Sequence, residues 1–210
     1  MDYSQYKQIE FRRRFWTFIG AKITVHPAGN DAVIGFIHMK GWRLREDVRL
    51  YTDETLQHEL LRIHARNIID FSGTYDIVDS ASNQIVYTMR RKGLKSTFVR
   101  DHWDIFDPQG NTIGAVQETS SGLALARRWF GIVPYVGEII DLAFAFAAQT
   151  YQITLNQPTG PAAVGIITHH KNPFVVKMTL DTSAAPMPVD PRLTMSATAL
   201  LSIIDASKNS

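Results

Sequence analysis

From Leu193 to Ile204 the chain carries no charged side chain. Its residues there are aliphatic, alanine, methionine, or small hydroxyls that can hydrogen-bond back to their own helix. A surface helix would show a charged face, so this pattern predicts a helix buried on every side. Asp190 is placed to cap its free amides, and Pro191 suits the first helical position, where an N–H would have no partner. The predicted helix spans 191–206, short of the roughly 20 apolar residues needed to cross a bilayer. Such a helix needs a wall around it.

The rest of the chain supplies that wall as strands. One unit recurs five times: a short alternating strand, a polar turn and a second apolar strand. The paired stretches are 21–25 with 33–37, 48–51 with 59–63, 75–78 with 85–89, 103–106 with 113–116, and 151–155 with 164–167. Two further strands are predicted at 11–16 and 174–180. Gly35, Gly114 and Gly165 each sit inside a second strand, where a bend or a close neighbour needs space. In three first strands an aromatic stands two positions before isoleucine: Tyr75/Ile77, Trp103/Ile105 and Tyr151/Ile153. Two apart means one face, and that face is expected to point inward. A sheet of about a dozen strands tends to curl, split or close, and a closed one of that width leaves a lumen that wall side chains alone do not fill. The expected architecture is mainly β: a closed antiparallel barrel of about twelve strands around the C-terminal helix, a single domain over 1–210.

Composition narrows the functions. Lys+Arg 22 against Asp+Glu 20 leaves a net charge of +2, so no strong attraction of the whole molecule to nucleic acid is expected. There is no cysteine, which excludes disulfides, thiolate zinc sites, a cysteine nucleophile and palmitoylation, and suits a reducing cytoplasm. The first residues lack the basic start and apolar core of a signal peptide, and no glycine follows Met1 to accept myristate. The expected location is the cytoplasm, with peripheral contact at the inner face of the membrane.

The run Arg100-Asp101-His102-Trp103-Asp104-Ile105-Phe106-Asp107-Pro108-Gln109-Gly110-Asn111-Thr112-Ile113-Gly114 and the ending Asp190-Pro191-Arg192-Leu193, with the hydrophobic helix after it, carry a family likeness. Over roughly residues 8–206 the chain resembles the tubby C-terminal-like superfamily, most closely its LURP-one-related and phospholipid-scramblase-like branch. The resemblance implies a twelve-stranded antiparallel barrel around a central helix. It also implies binding of membrane lipid, since tubby-like domains bind membrane phosphoinositides through basic side chains and scramblase-like members are associated with membranes and lipid redistribution; a non-enzymatic domain is expected because the residues offer no catalytic constellation. The chain departs from scramblases in having no cysteine and no acidic calcium loop, and no long apolar anchor is expected after its barrel.

One stretch, 121–149, breaks the hairpin pattern. Gly131, Pro134 and Gly137 punctuate it, and the expectation is a helical hairpin whose second helix runs from about 135 to 149. Arg127, Arg128 and Trp129 set basic side chains beside an aromatic, as interfacial segments do. The alternative is a helical pair packed against the barrel.

The other candidate contacts are basic. Arg90, Arg91, Lys92 and Lys95, followed by Arg100, are expected in the connection between the third and fourth hairpins, where they could hold an anionic head group or simply be solvated. Arg12 to Arg14, Arg43, Arg45, Arg62 and Arg66 could add to them. Adjacent His169 and His170 in a strand would face opposite sides, so no metal is expected. Asp101/Asp104 and Asp104/Asp107 are carboxylate pairs, but Asp107-Pro108-Gln109-Gly110 is explained by turn chemistry. No nucleophile elbow, P-loop or dinucleotide fingerprint is present. The reading is a binding domain without a cofactor, its partner anionic phospholipid or phosphoinositide at the basic residues Arg90, Arg91, Lys92, Lys95, Arg100, Arg127, Arg128 and Trp129. A scramblase-like lipid mover and a protein-interaction module are the alternatives.

Overall fold

The computed structural model describes residues 3–13, 21–39, 48–69, 72–92, 101–119, 149–170 and 177–208. A 3-10 turn, Tyr3–Gln5, precedes twelve strands: β1 (Gln8–Arg13), β2 (Ala21–Pro27), β3 (Gly35–Met39), β4 (Val48–Tyr51), β5 (Glu59–Ile69), β6 (Ser72–Asp79), β7 (Gln84–Arg91), β8 (His102–Phe106), β9 (Thr112–Thr119), β10 (Gln149–Gln157), β11 (Gly160–His170) and β12 (Lys177–Asp181). The helix α1 (Pro191–Lys208) follows. Each strand pairs with the next, and β1 also pairs with β12, so the sheet closes into a barrel with no free edge. Phe11 lies opposite Val25 on one side and Met178 on the other.

Alternation along each strand divides inside from outside. Tyr75, Ile77, Trp103, Ile105, Tyr151 and Ile153 are all buried, so the three expected aromatic-isoleucine pairs do line the lumen. Gly114 is there because of a close approach: a Cβ on it would run into the backbone of Thr154 and Leu155. The outer face carries Glu10, Arg12, Arg49, Arg62, Arg90 and Asp104, in alternation with buried apolar neighbours. That is the reverse of a transmembrane barrel, whose outer band is apolar. No helix among the described residues is long and apolar enough to cross a membrane.

The lumen is filled by α1. Every residue from Leu193 to Ile204 is buried, and the helix shares one apolar cluster with the inward face of the strands. Two of its buried hydroxyls bond back within the helix, Thr198 donating to the Thr194 carbonyl at 2.8 Å and Ser202 to the Thr198 carbonyl at 2.7 Å, while the buried Ser196 hydroxyl has no partner among the described residues. Asp190 caps it, accepting from the Arg192 amide at 2.9 Å. Tyr87 donates to the same carboxylate at 3.0 Å, which ties the cap to β7. Burial works against charge on Asp190, but hydrogen bonds from Arg192 and Tyr87 outweigh it and hold the carboxyl below its ordinary range. Burial, then the charge of Asp190, pushes the Tyr87 phenol up to about 12.

Several expected boundaries move. The first strand starts at Gln8, three residues before the expected 11–16, because Ile9 has partners in both β2 and β12, and residues 14–16 lie outside the described residues. Pro27 ends β2 and also opens the turn, its carbonyl accepting from the Asn30 amide at 3.1 Å. Gln149 opens β10 opposite His169, so it is not a helical residue. The rest of the expected helical hairpin, 121–148, lies outside the described residues, and α1 is the one α-helix within them.

Candidate functional site

Antiparallel neighbours alternate in direction, so the six links that leave an odd-numbered strand for the next even one all join strand ends on the same side of the barrel. These links are 14–20, 40–47, 70–71, 93–100, 120–148 and 171–176, and they lie outside the described residues. Their sequence content is distinctive. It includes Arg14, Lys40, Arg43, Arg45, Lys95, Arg100, Arg127, Arg128 and Lys171 against Glu46, Asp47, Asp70, Glu138 and Asp141, a surplus of four positive charges. The links at the opposite end, together with the segment leading into α1, hold five acids (Asp31, Asp53, Glu54, Asp107, Asp190) and no lysine or arginine. In sequence, the two sets of links therefore differ in the sign of their charge, within a chain of net charge +2.

Three of the expected lipid-binding cations are described, and they do not act together. Arg90, Arg91 and Lys92 belong to the end of β7 and the residue after it, where side chains alternate. Arg91 turns into the lumen and is 8% exposed. Its guanidinium pairs with Asp101 at 2.7 Å and lies 5.6 Å from the Trp103 ring centre. It is built into the interior and paired there, away from the outer wall. Glu118 and Gln149 extend this inward polar layer, with a Gln149-to-Glu118 hydrogen bond of 2.8 Å.

Arg90 and Lys92 face outward and are more than half exposed. Both approach Asp104, Lys92 at 3.0 Å and Arg90 at 3.7 Å, and His102 is 3.1 Å from the same carboxylate. Burial opposes charge on Asp104, yet hydrogen bonds from Lys92 and His102 keep its carboxyl below the usual range. A single acid therefore already answers Lys92 in part. Arg90 is held differently, with its guanidinium 4.6 Å from the Phe106 ring centre. Lys95, Arg100, Arg127, Arg128 and Trp129 lie outside the described residues. Their segments leave from the ends of β7 and β9, at the cation-bearing end.

The carboxylate pairs separate as well. Asp101 faces inward to Arg91, Asp104 faces outward, and Asp107 is used by its own turn, accepting from Asn111 N and Nδ2 at 2.8 Å each. No two of them face each other across a cleft. His169 is buried and His170 faces outward, with its Nε2 3.0 Å from the Thr179 hydroxyl. Among the described residues, which include all seven histidines, no cluster of three or more His, Asp or Glu side chains is arranged to hold a metal ion.

No curated protein and no solved structure gives a match to this chain. The family model described as LURP-one-related matches residues 33–202, from the β2–β3 link to the last turns of α1. By that match, by the closed barrel and by the buried tail helix, this chain belongs to the LURP-one-related family of the tubby C-terminal-like superfamily.

Proposed function

We infer that the protein is a binding domain that docks peripherally on anionic phospholipid, phosphoinositides included, through the cation-bearing end of its barrel. The observation that carries this reading is the difference between the two sets of links: a surplus of four positive charges in those of one end, against five acids and no lysine or arginine in those of the other. A basic residue near an anionic leaflet contributes on the order of 1 kcal/mol. Four such charges amount to roughly 4 kcal/mol, or about a thousandfold in partitioning. Arg127, Arg128 and Trp129 add a basic-aromatic pairing suited to the headgroup layer. Lys95 and Arg100 belong to the neighbouring link, and Arg90 and Lys92 stand on the wall beside it. Arg91 takes no part, because it is paired inside.

Co-sedimentation with phosphatidylcholine vesicles, with and without phosphatidylserine, tests the reading. Binding is expected to require the anionic lipid. Thr119 and Thr150 are paired neighbours, so a short turn can rejoin β9 and β10 after deletion of residues 122–148. That variant is expected to keep its β-type circular dichroism and lose most of its sedimentation. Undiminished sedimentation would remove the inserted segment from the contact. A full-length chain that ignores anionic vesicles would leave a protein-interaction module as the reading.

A further inference from the structure

The outer wall carries a feature that the barrel end does not explain. Between β5, β6, β7 and the β8–β9 turn lies an open groove of 490 Å³, lined by Arg66, Thr74, Thr88, Arg90, Phe106 and Asp107 among others. Arg66 enters it from a β-bulge. Ala65 pairs with Tyr75 and Asn67 with Thr74, so Arg66 is the extra residue of its strand. A bulge re-aims the side chain it carries.

Donors in this groove outnumber the acceptors available to them. The Arg66 Nε is hydrogen-bonded to the Asp76 carboxylate, which also accepts from the Thr88 hydroxyl at 2.8 Å. The two terminal nitrogens of Arg66 make no hydrogen bond among the described residues. Arg90 lies over Phe106 and stays 3.7 Å from Asp104, beyond hydrogen-bond range. None of its N–H groups donates a hydrogen bond among the described residues, and the hydroxyl of Thr74, opposite Arg90 in the β6–β7 register, donates none either. Asp107 is the one acid of the lining, and its oxygens are occupied by Asn111, whose hydrogen bonds hold its carboxyl below the ordinary range.

Two guanidinium forks and a hydroxyl without acceptors call for an oxyanion. A phosphate monoester brings three acceptor oxygens and close to two negative charges, enough to serve both forks and the hydroxyl; a carboxylate has only two oxygens. We propose that this groove binds the phosphate monoester of a small ligand, with Arg66 and Arg90 as the clamp and Thr74 as the third donor. Phe106 holds the Arg90 plane in place. A phosphorylated solute and a phosphorylated lipid headgroup share this chemistry, so the site does not rest on the membrane reading.

The intact protein is titrated with phenyl phosphate by calorimetry in buffer free of phosphate and sulfate. Saturable binding is expected, competed by inorganic phosphate and not by phenol. Arg90→Ala removes no hydrogen bond and is expected to weaken binding by about tenfold or more, the worth of one charge-assisted contact. Arg66→Lys keeps a charge for Asp76 but loses the fork, and is expected to do the same. Arg49→Ala, on the outer wall outside the groove lining, is expected to leave affinity unchanged. Absence of saturable binding, or equal weakening by Arg49→Ala, overturns the proposal. Phosphatidylcholine vesicles doped with phosphatidylinositol phosphate identify the source: groove variants that lose vesicle binding with phenyl phosphate indicate a headgroup, and loss of phenyl phosphate alone indicates a solute. Deleting residues 122–148 separates this site from the barrel end, because vesicle binding then falls while the phenyl phosphate titration stays intact.

Discussion

A period of two places Arg90 on the outer wall and Arg91 in the lumen, although they adjoin in sequence. The consequences differ in kind. Arg91 and Asp101 are each 8% exposed at the side chain, and removing one partner of a buried pair leaves the other charge uncompensated, at a cost of about 3–5 kcal/mol. Arg91→Ala is therefore expected to lower the melting temperature by roughly 6–20 °C, at about 2–4 °C per kcal/mol for a chain of this size. Arg90→Ala, which gives up an exposed contact with Phe106, should cost under about 1 kcal/mol. Thermal melts of the two variants check this, and equal shifts would mean that Arg91 is not an interior residue. The sequence run Arg90-Arg91-Lys92 reads as a loop cluster because nothing in it marks that β7 continues to Arg91. Arg66 is harder still to foresee. A bulge exists only against a pairing partner, and the strand that exposes it is the next one, β6.

At the level of elements, the helix and the hairpins were legible for one reason: each must hide an apolar face, and the period of that face shows in the residues. The uncharged run from Leu193 to Ile204 could be buried only inside something, and the recurring hairpins left a barrel as the container. What the pattern does not carry is where pairing stops. β1 reaches back to Gln8 because Asp181 lies opposite it, and Gln149 belongs to β10 because His169 does the same. These are contacts between residues far apart in the chain. The plug has a direct test at Leu200, which is 0% exposed. Leu200→Ala should cost about 2–5 kcal/mol through lost contacts and a cavity. Leu200→Asp adds a carboxylate with no partner in the core, and is expected to exceed the 5–15 kcal/mol that typically holds a domain together. Circular dichroism should then show loss of cooperative unfolding across the whole domain. A Leu200→Asp protein that melts cooperatively near the native temperature would contradict a helix that fills the barrel.

On the scale of the whole molecule, the relevant quantity is where charge sits, since the total of +2 is close to balance. The two sets of links differ in charge because connections alternate, and the proposed docking on an anionic surface rests on that difference. Raising ionic strength from about 0.1 M to about 1 M shortens the screening length from about 10 Å to about 3 Å. Vesicle binding driven by the cation-bearing end should then be lost, while the circular dichroism of the protein stays as it was. Neutralising Lys95, Arg100, Arg127 and Arg128 to serine is expected to reduce partitioning by up to about a thousandfold, at roughly 1 kcal/mol per charge. The decisive control raises net charge at the wrong end. Asp53→Asn with Glu54→Gln adds two units of positive charge at the acidic end, and asparagine keeps an oxygen for the Thr55 amide that Asp53 now accepts at 2.8 Å. If the end of the barrel is what docks, this pair leaves vesicle affinity nearly unchanged, because the added charge lies a barrel length from the membrane and beyond the screening length. If affinity rises as net charge rises, attraction is to the molecule as a whole, and the polarity of its ends has no part in it.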